Sequence, residues 1–336
     1  MSANSVAAEQ HEKSQHEKPE HDKPQPAWKI WGKRLLNIFF FCLVPVLLYL
    51  LVKNLNWQEV KTALQAFSAQ TLLLALLASA VSYAVYSCFD LIGSHYTEHK
   101  LPPRQTIPVT FVCYAFNLNL SSWVGGIAMR YRLYSRLGLD VPTITKVISI
   151  SLLTNWLGYI LLAGGVFSLR LVDLPDHWKI GETTLQMIGF ALLAAAAVYL
   201  FACKFSKRRN WHFGKQEITL PSLRMASVQV VLGTLNWGLM AAMIFILLPD
   251  KTSYWDILGI LLISSIAGVI THIPAGLGVL EAVFIALLQH QVDKGSIVAA
   301  LIGYRVIYFL IPLAVAVVVY LVLEKRAKHI RTSQDE

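Results

Sequence analysis

Three charged residues of this chain stand where a bilayer would have to accommodate them, each beside a break or deep in an apolar run. Trp123-Val124-Gly125-Gly126-Ile127-Ala128-Met129-Arg130 is the first broken stretch, and Pro274-Ala275-Gly276-Leu277-Gly278-Val279-Leu280-Glu281 is the second. In both, a charge follows the first shared glycine, Gly125 or Gly276, by five residues; it is basic in one and acidic in the other. The third charge, Arg305, lies in Gly303-Tyr304-Arg305-Val306-Ile307-Tyr308, within the last apolar run. Helices broken at membrane depth mark binding sites between repeats, because freed backbone groups are tolerated there only inside protein or along a cavity.

The chemistry open to these residues is electrostatic capture of an anion. A carboxylate such as Glu281 in an apolar stretch costs about 2.5 to 3.5 kcal/mol on insertion, so it must be paired, protonated or solvated. Arg305 is too deep to snorkel comfortably, and its planar guanidinium can grip a phosphate or carboxylate through two parallel hydrogen bonds. Two readings are compatible: Glu281 and Arg305 form a structural salt bridge, and the same bridge closes an empty site that opens for an anionic ligand. Arg130 stands with Arg132 and Arg136 where the first stretch leaves the membrane. That cluster is either a surface anchor or an attractor of anionic headgroups, at about 1 kcal/mol per basic residue. His272 and Pro274 open the second break, and a half-helix beginning after Pro274 would aim N–H groups at a cavity, which suits a phosphate. His272 alone is more simply a satisfied core residue than a proton relay. Gly126, Gly278 and Tyr304 complete the candidate set. Asp90 and the pairs Asn155-Trp156 and Asn236-Trp237 read as glue between helices, at roughly 0.6 to 2 kcal/mol per hydrogen bond.

Such charges need a membrane-embedded frame. Of 336 residues, 55% are hydrophobic and the mean hydropathy is +0.53, far above a soluble domain. Leu35 to Val52, Leu72 to Ile92, Val147 to Leu169, Leu185 to Phe205, Met225 to Leu248 and Ile297 to Leu323 each approach or exceed the roughly 20 residues that cross a bilayer. The first run lacks a small-residue cleavage site and reads as a retained span. The expected fold class is an all-α polytopic membrane protein, with about six full spans plus two oppositely oriented re-entrant hairpins in an inverted-repeat architecture. Residues 1–27 are a polar tail with a repeated His-Glu/Asp-Lys triplet (His11, His16 and His21), predicted to be disordered. Residues 28–325 form the integral membrane domain and 326–336 a second cytoplasmic tail. Trp28, Trp31 and nearby Lys and Arg residues form a collar before the first span. Trp57, Val60, Leu64 and Phe67 predict a short helix on the far membrane face.

Lys and Arg placement sets orientation. With the N-terminus cytoplasmic and each broken stretch entering and leaving on one side, twenty-two basic residues are cytoplasmic and six face the other side. Letting residues 106–129 cross once weakens that asymmetry badly. The same placement, in short loops beside spans, argues against nucleic acid despite the net charge of +9. Cys42, Cys88, Cys113 and Cys203 sit in apolar runs without disulfide or metal-ligand spacing. No phosphate loop, zinc motif or nucleophile elbow occurs, so neither an enzyme nor a cofactor is expected.

Cys113-Tyr114-Ala115-Phe116-Asn117-Leu118, Trp123-Val124-Gly125-Gly126 with Arg130-Tyr131-Arg132-Leu133-Tyr134, His272-Ile273-Pro274-Ala275-Gly276-Leu277-Gly278-Val279-Leu280-Glu281-Ala282, and Tyr304-Arg305 carry a resemblance. Over roughly residues 30 to 325 the chain resembles the lysylphosphatidylglycerol synthase transmembrane-region superfamily. It departs from that pattern at Ser122, where the family often has a proline nearby, and at Ile127, where it often has an acid. The resemblance implies a region that moves aminoacylated or other phospholipids between leaflets. The soluble lipid-modifying domain of larger members has no counterpart here, so lysyl transfer is not expected.

The leading reading is a phospholipid flippase or lipid transporter of the bacterial inner membrane, with both termini cytoplasmic. Its headgroup would sit near Arg305, Glu281 and the Pro274 break. A second reading is a non-transporting partner or regulator of a phospholipid-synthesis enzyme. A third is a small-solute or ion transporter, since broken helices also bind ions. A lateral opening to lipid favours the first, and a closed aqueous vestibule the third.

Overall fold

Polar caps set where the long helices begin. The computed structural model describes residues 57–99, 101–120, 122–172, 181–206, 210–213, 216–248, 252–271 and 278–335. The N-terminal tail, the Trp collar, the run Leu35 to Val52, and His272, Pro274 and Gly276 lie outside these residues. A short helix α1, Trp57–Gln65, forms where the Trp57 to Phe67 pattern predicts one. Ser68 then accepts from the Thr71 amide at 3.1 Å and starts α2, Ala69–Thr97. Helix α3, Pro103–Asn119, opens with Pro103 in its first turn, where a missing N–H costs nothing. A wide π-helical segment, Ser122–Ala128, and a short α4, Met129–Arg136, follow. Next come α5, Val141–Ser168, and α6, Glu182–Phe205. Ser222 caps α7, Leu223–Leu247, through the Met225 amide at 3.3 Å. Helices α8, Tyr254–Thr271, and α9, Val279–Leu288, flank the second break. Asp293 caps α10, Lys294–Arg305, through the Ser296 amide at 2.9 Å, and Ser296 holds the Asp293 carboxyl below its usual range. A second π-segment, Val306–Leu310, leads into α11, Ile311–Asp335.

Among the described residues, six helices are long and apolar enough to cross a membrane: α2, α5, α6, α7, α8 and the continuous unit Lys294–Lys325. Five of them cover predicted runs. The sixth, α8, is the arm entering the second break; its 18 residues span about 27 Å. The all-α expectation holds apart from a small antiparallel pair between α6 and α7. Strand β1, Asn210–Phe213, lies along β2, Gln216–Thr219, with Asn210 opposite Thr219. The Tyr96 hydroxyl, at the end of α2, donates to the Thr219 carbonyl at 2.6 Å and accepts from its amide at 2.9 Å.

In chain order, α2, the broken segment with α3 and α4, and α5 are followed by α7, α8 with α9, and the unit of α10 and α11. Helix α3 packs on α4, and α8 packs on α9. Helices α2, α5 and α7 pack mutually at the centre, while α6 leans on α5 from outside and leaves Met187, Phe190, Val198 and Phe201 exposed. That surface suits lipid. Where α5 crosses α7, Gly158 and Gly233 touch backbone to backbone: a Cβ on Gly158 would lie 2.1 Å from the Gly233 carbonyl carbon. Small residues at such crossings let membrane helices gain dispersion contacts, because lipid supplies no hydrophobic drive between them.

Asn236 acts as expected of intramembrane glue. Its Oδ1 accepts from Ser82 Oγ at 2.8 Å, Ser82 Oγ pairs with the Tyr308 hydroxyl at 2.8 Å, and that hydroxyl pairs with Tyr114 at 2.7 Å. Asn155 contributes through its backbone, whose carbonyl accepts from Trp237 Nε1 at 3.1 Å.

Candidate functional site

Helix α9 begins at Val279, and the residues directly after Pro274 lie outside the described ones. Gly278 supplies the turn at φ +81°, a conformation that favours glycine. Glu281 falls in the first turn, and its carboxylate accepts the Gly278 N–H at 2.9 Å. That amide is therefore already satisfied by the chain's own carboxylate. Arg305 closes α10. Its Nε reaches Glu281 Oε1 at 2.6 Å and its Nη2 reaches Oε2 at 3.0 Å, a two-point bridge. The two side chains remain 13% and 25% exposed, so the pair is not sealed. The Phe309 ring lies 5.8 Å from the guanidinium carbon. Tyr304 sits in the core instead: it is buried and stacks on Tyr308 at 5.5 Å. Its hydroxyl meets no hydrogen-bond partner among the described residues.

The first break is built on close approach. A Cβ on Gly125 would lie 2.1 Å from the Asn117 nitrogen, so only glycine lets the π-segment lie on α3. Gly126 offers its carbonyl to Arg130 Nη1 at 3.0 Å. Arg130 is neither a surface anchor nor a member of an exposed cluster. It is 3% exposed and held by Asp90, which is 0% exposed, through Nε–Oδ2 at 3.0 Å and Nη2–Oδ1 at 3.2 Å. Ser151 Oγ accepts from Nη2 at 3.3 Å, and the Tyr134 hydroxyl donates to Asp90 Oδ2 at 2.8 Å. The reason is local: Arg130 is the second residue of α4 and faces the centre, whereas Arg132 and Arg136 face the end of α11. There Arg132 Nη2 meets Glu324 Oε1 at 2.6 Å, and Arg136 also pairs with Glu324.

The two breaks share one contact pattern. Arg130 touches Ser151 in the span that follows it, and Glu281 touches Arg305 in the span that follows it. Glu281 lies 151 residues after Arg130, and Arg305 lies 154 after Ser151. In the first half the ion pair is closed from the preceding span, by Asp90; in the second it is closed from the following span. Sequence reading missed Asp90 as a partner. The signal was present, because Asp90 is the lone acidic residue of α2 and an isolated carboxylate in a span needs a cation within reach.

Membrane-length helices around a buried polar core, with a charge at each of two broken segments, define a polytopic α-helical membrane protein. The chain belongs to the family described as lysylphosphatidylglycerol synthase TM region, whose profile matches residues 35–316. It is 50% identical over 311 residues to the inner membrane protein YbhN of Escherichia coli K12, covering 92% of this chain and 98% of that one. It is 29% identical over 264 residues to the uncharacterized protein slr0712 of Synechocystis, covering 78% and 82%. Phosphatidylglycerol lysyltransferase of Staphylococcus xylosus is 24% identical over 288 residues, which are 83% of this chain and 32% of that enzyme.

Proposed function

We propose that this protein moves phospholipids between the leaflets of the bacterial inner membrane, holding the headgroup phosphate at Arg305 while the tails stay in the bilayer. The observation that carries this reading is the partly open, two-point bridge between Arg305 and Glu281 beside a broken helix. A phosphate presents the same pair of oxygens to a guanidinium as a carboxylate does, so it can take the place of Glu281 without leaving the arginine unsatisfied. Glu281 then keeps the Gly278 amide and can accept a proton, which Arg305 cannot release. Family membership supports a lipid cargo, since relatives include enzymes named for phosphatidylglycerol. The role assigned is carriage, with no bond made or broken.

In the proposed arrangement each hairpin enters and leaves on one face, the two faces being opposite. The Arg132–Glu324 contact supports it by joining the exit of the first hairpin to the end of the last span. The Tyr96–Thr219 contacts join two more loops that the basic residues place in the cytoplasm. Single cysteines at Arg104 and Ser135 should therefore both label from the cytoplasmic face alone. Those at Ser253 and Lys294 should both label from the periplasmic face alone. Opposite accessibility of positions 104 and 135 removes the re-entrant hairpin.

The activity is tested in vesicles of matched protein content, by following the accessibility of labelled lipids with several headgroups. Wild-type protein should move phospholipid faster than empty vesicles. Arg305→Lys keeps the charge but loses one of two parallel bonds, worth about 1.5 kcal/mol, so movement should slow about tenfold, most for anionic headgroups. Wild-type movement no faster than in empty vesicles, with stable co-purification of a lipid-synthesis enzyme, would replace this reading with that of a membrane partner.

A further inference from the structure

The wide turn after Arg305 has an identifiable cause two residues beyond its end. Pro312 has no N–H to give. In an α-helical register it would leave the Tyr308 carbonyl without a donor and press its ring against that oxygen. In the observed register Ile311 N bonds to Val306 O, five residues back, and the Ile307 carbonyl is the one Pro312 cannot serve. Three consecutive carbonyls of this turn are met by buried side chains of other helices. Ser79 Oγ donates to Ile307 O at 3.1 Å and the Tyr83 hydroxyl to Tyr308 O at 3.0 Å, both from α2. Asn119 Nδ2, at the end of α3, donates to Phe309 O at 3.1 Å. Such donors and carbonyls would each be costly to leave unpaired in an apolar interior, so the wide turn and its three donors hold one another in place.

A π-helical turn holds one residue more than an α-helical one. It therefore rotates the helix before it by about 100° against the helix after it, one residue's worth of helical turn. Arg305 is the residue immediately before this turn. We propose that Pro312, Ser79, Tyr83 and Asn119 are the positioning residues of the headgroup site: by holding the wide turn they swing the Arg305 guanidinium onto Glu281. Relaxation to an α-helical register carries Arg305 away and leaves the Glu281 carboxylate with the Gly278 amide. The wide turn is thus the element whose register decides whether the bridge is closed. The importance of this for transport rests on the proposed headgroup site, whereas the geometry itself does not.

The test reads the bridge without transport. A hydrophobic carbodiimide modifies carboxyl groups in their protonated form, and a glutamate bridged to arginine resists protonation. The full chain, in lipid nanodiscs, is treated with the reagent, and mass spectrometry gives the rate at Glu281 relative to the exposed Glu182. Arg305→Ala sets the upper rate. Pro312→Ala, which returns an N–H, and the double variant Ser79→Ala with Tyr83→Phe should each raise the Glu281 rate about fivefold, the size expected from one net hydrogen bond. Ser79→Thr keeps the hydroxyl and should stay at the wild-type rate. Tyr83→Phe alone removes a single oxygen and serves where the larger changes prevent folding. Glu281 modification at the wild-type rate in every variant that elutes as wild type does would overturn the proposal. Raised modification in a protein whose wild type moves no lipid would keep the positioning and remove the carrier; lipid movement with unchanged modification does the reverse.

Discussion

Asp90→Ala should leave little folded protein, whereas Glu281→Gln should insert and elute normally. Both substitutions break an ion pair that includes an arginine, but the surroundings differ. Asp90 is 0% exposed and Arg130 3%, so water can do little for either charge. Removing Asp90 strands a buried charge that cannot be neutralised by losing its proton, at a cost of about 3 to 5 kcal/mol. The Tyr134 hydroxyl loses its acceptor in the same step. Arg305 and Glu281 keep 13% and 25% exposure, so hydration limits the loss, and glutamine still offers an oxygen to the guanidinium. The measurement is thermal stability in detergent, with the double change Asp90→Leu and Arg130→Met as a check. That pair removes both charges at once and should recover most of the loss. Equal midpoints for Asp90→Ala and Glu281→Gln would mean that the first pair is not the anchor its burial indicates.

Gly158→Leu should abolish the assembled fold, while Gly165→Ala, on the same helix, should be neutral or slightly stabilising. A Cβ at position 158 would lie 2.1 Å from the Gly233 carbonyl carbon and 2.5 Å from its Cα. No rotamer change relieves a clash with main chain, so α5 and α7 must move apart, and even Gly158→Ala should cost about 2 kcal/mol or more. At Gly165 nothing lies within 4 Å of an added Cβ. There alanine only removes the glycine penalty in a helix, roughly 0.5 to 1 kcal/mol. Expression, monodispersity and thermal midpoint of the three variants decide the matter. A stable Gly158→Leu would show that α5 and α7 do not meet where the two glycines place them.

Much of the frame was legible because hydropathy and helix breakers act locally. Five of the membrane-length helices follow from apolar runs, and the breaks from Gly125-Gly126 and from Gly278. The meeting of Glu281 with Arg305 was legible for an energetic reason: each is too costly at membrane depth without an opposite charge. The same reasoning applied to Asp90 would have found Arg130, but Asp90 lies toward the end of an apolar run and Arg130 near two other arginines, so each had a surface explanation at hand. Pro312 was hidden for a different reason. Hydropathy counts it as an ordinary member of the run Ile297 to Leu323, while its effect is on the hydrogen bonds of the preceding turn. The strand pair was signalled only by Gly214-Lys215 between short alternating stretches, a weak hairpin cue inside a basic loop. Which side chains of α2 and α3 meet the carbonyls of that turn depends on how distant helices pack, and no local pattern encodes that.

The meeting of Gly158 and Gly233 also limits how this molecule can move. Helix α5 closes the first run of elements and α7 opens the second, so the contact rivets one half to the other by main chain alone. Side-chain interfaces can slip, because rotamers hop and a methyl group can find another groove. Two backbones in contact have no such reserve, and a hydrogen-bonded helix does not stretch to lend one. Rocking one half against the other as rigid blocks would have to part this joint and open a gap at the centre, where lipid could enter. Motion confined to α3, α4, α8 and α9 and to the turn before Pro312 would leave the joint intact. A carrier of the proposed kind would thus use α2, α5 and α7 as its stator and keep its moving parts at the rim.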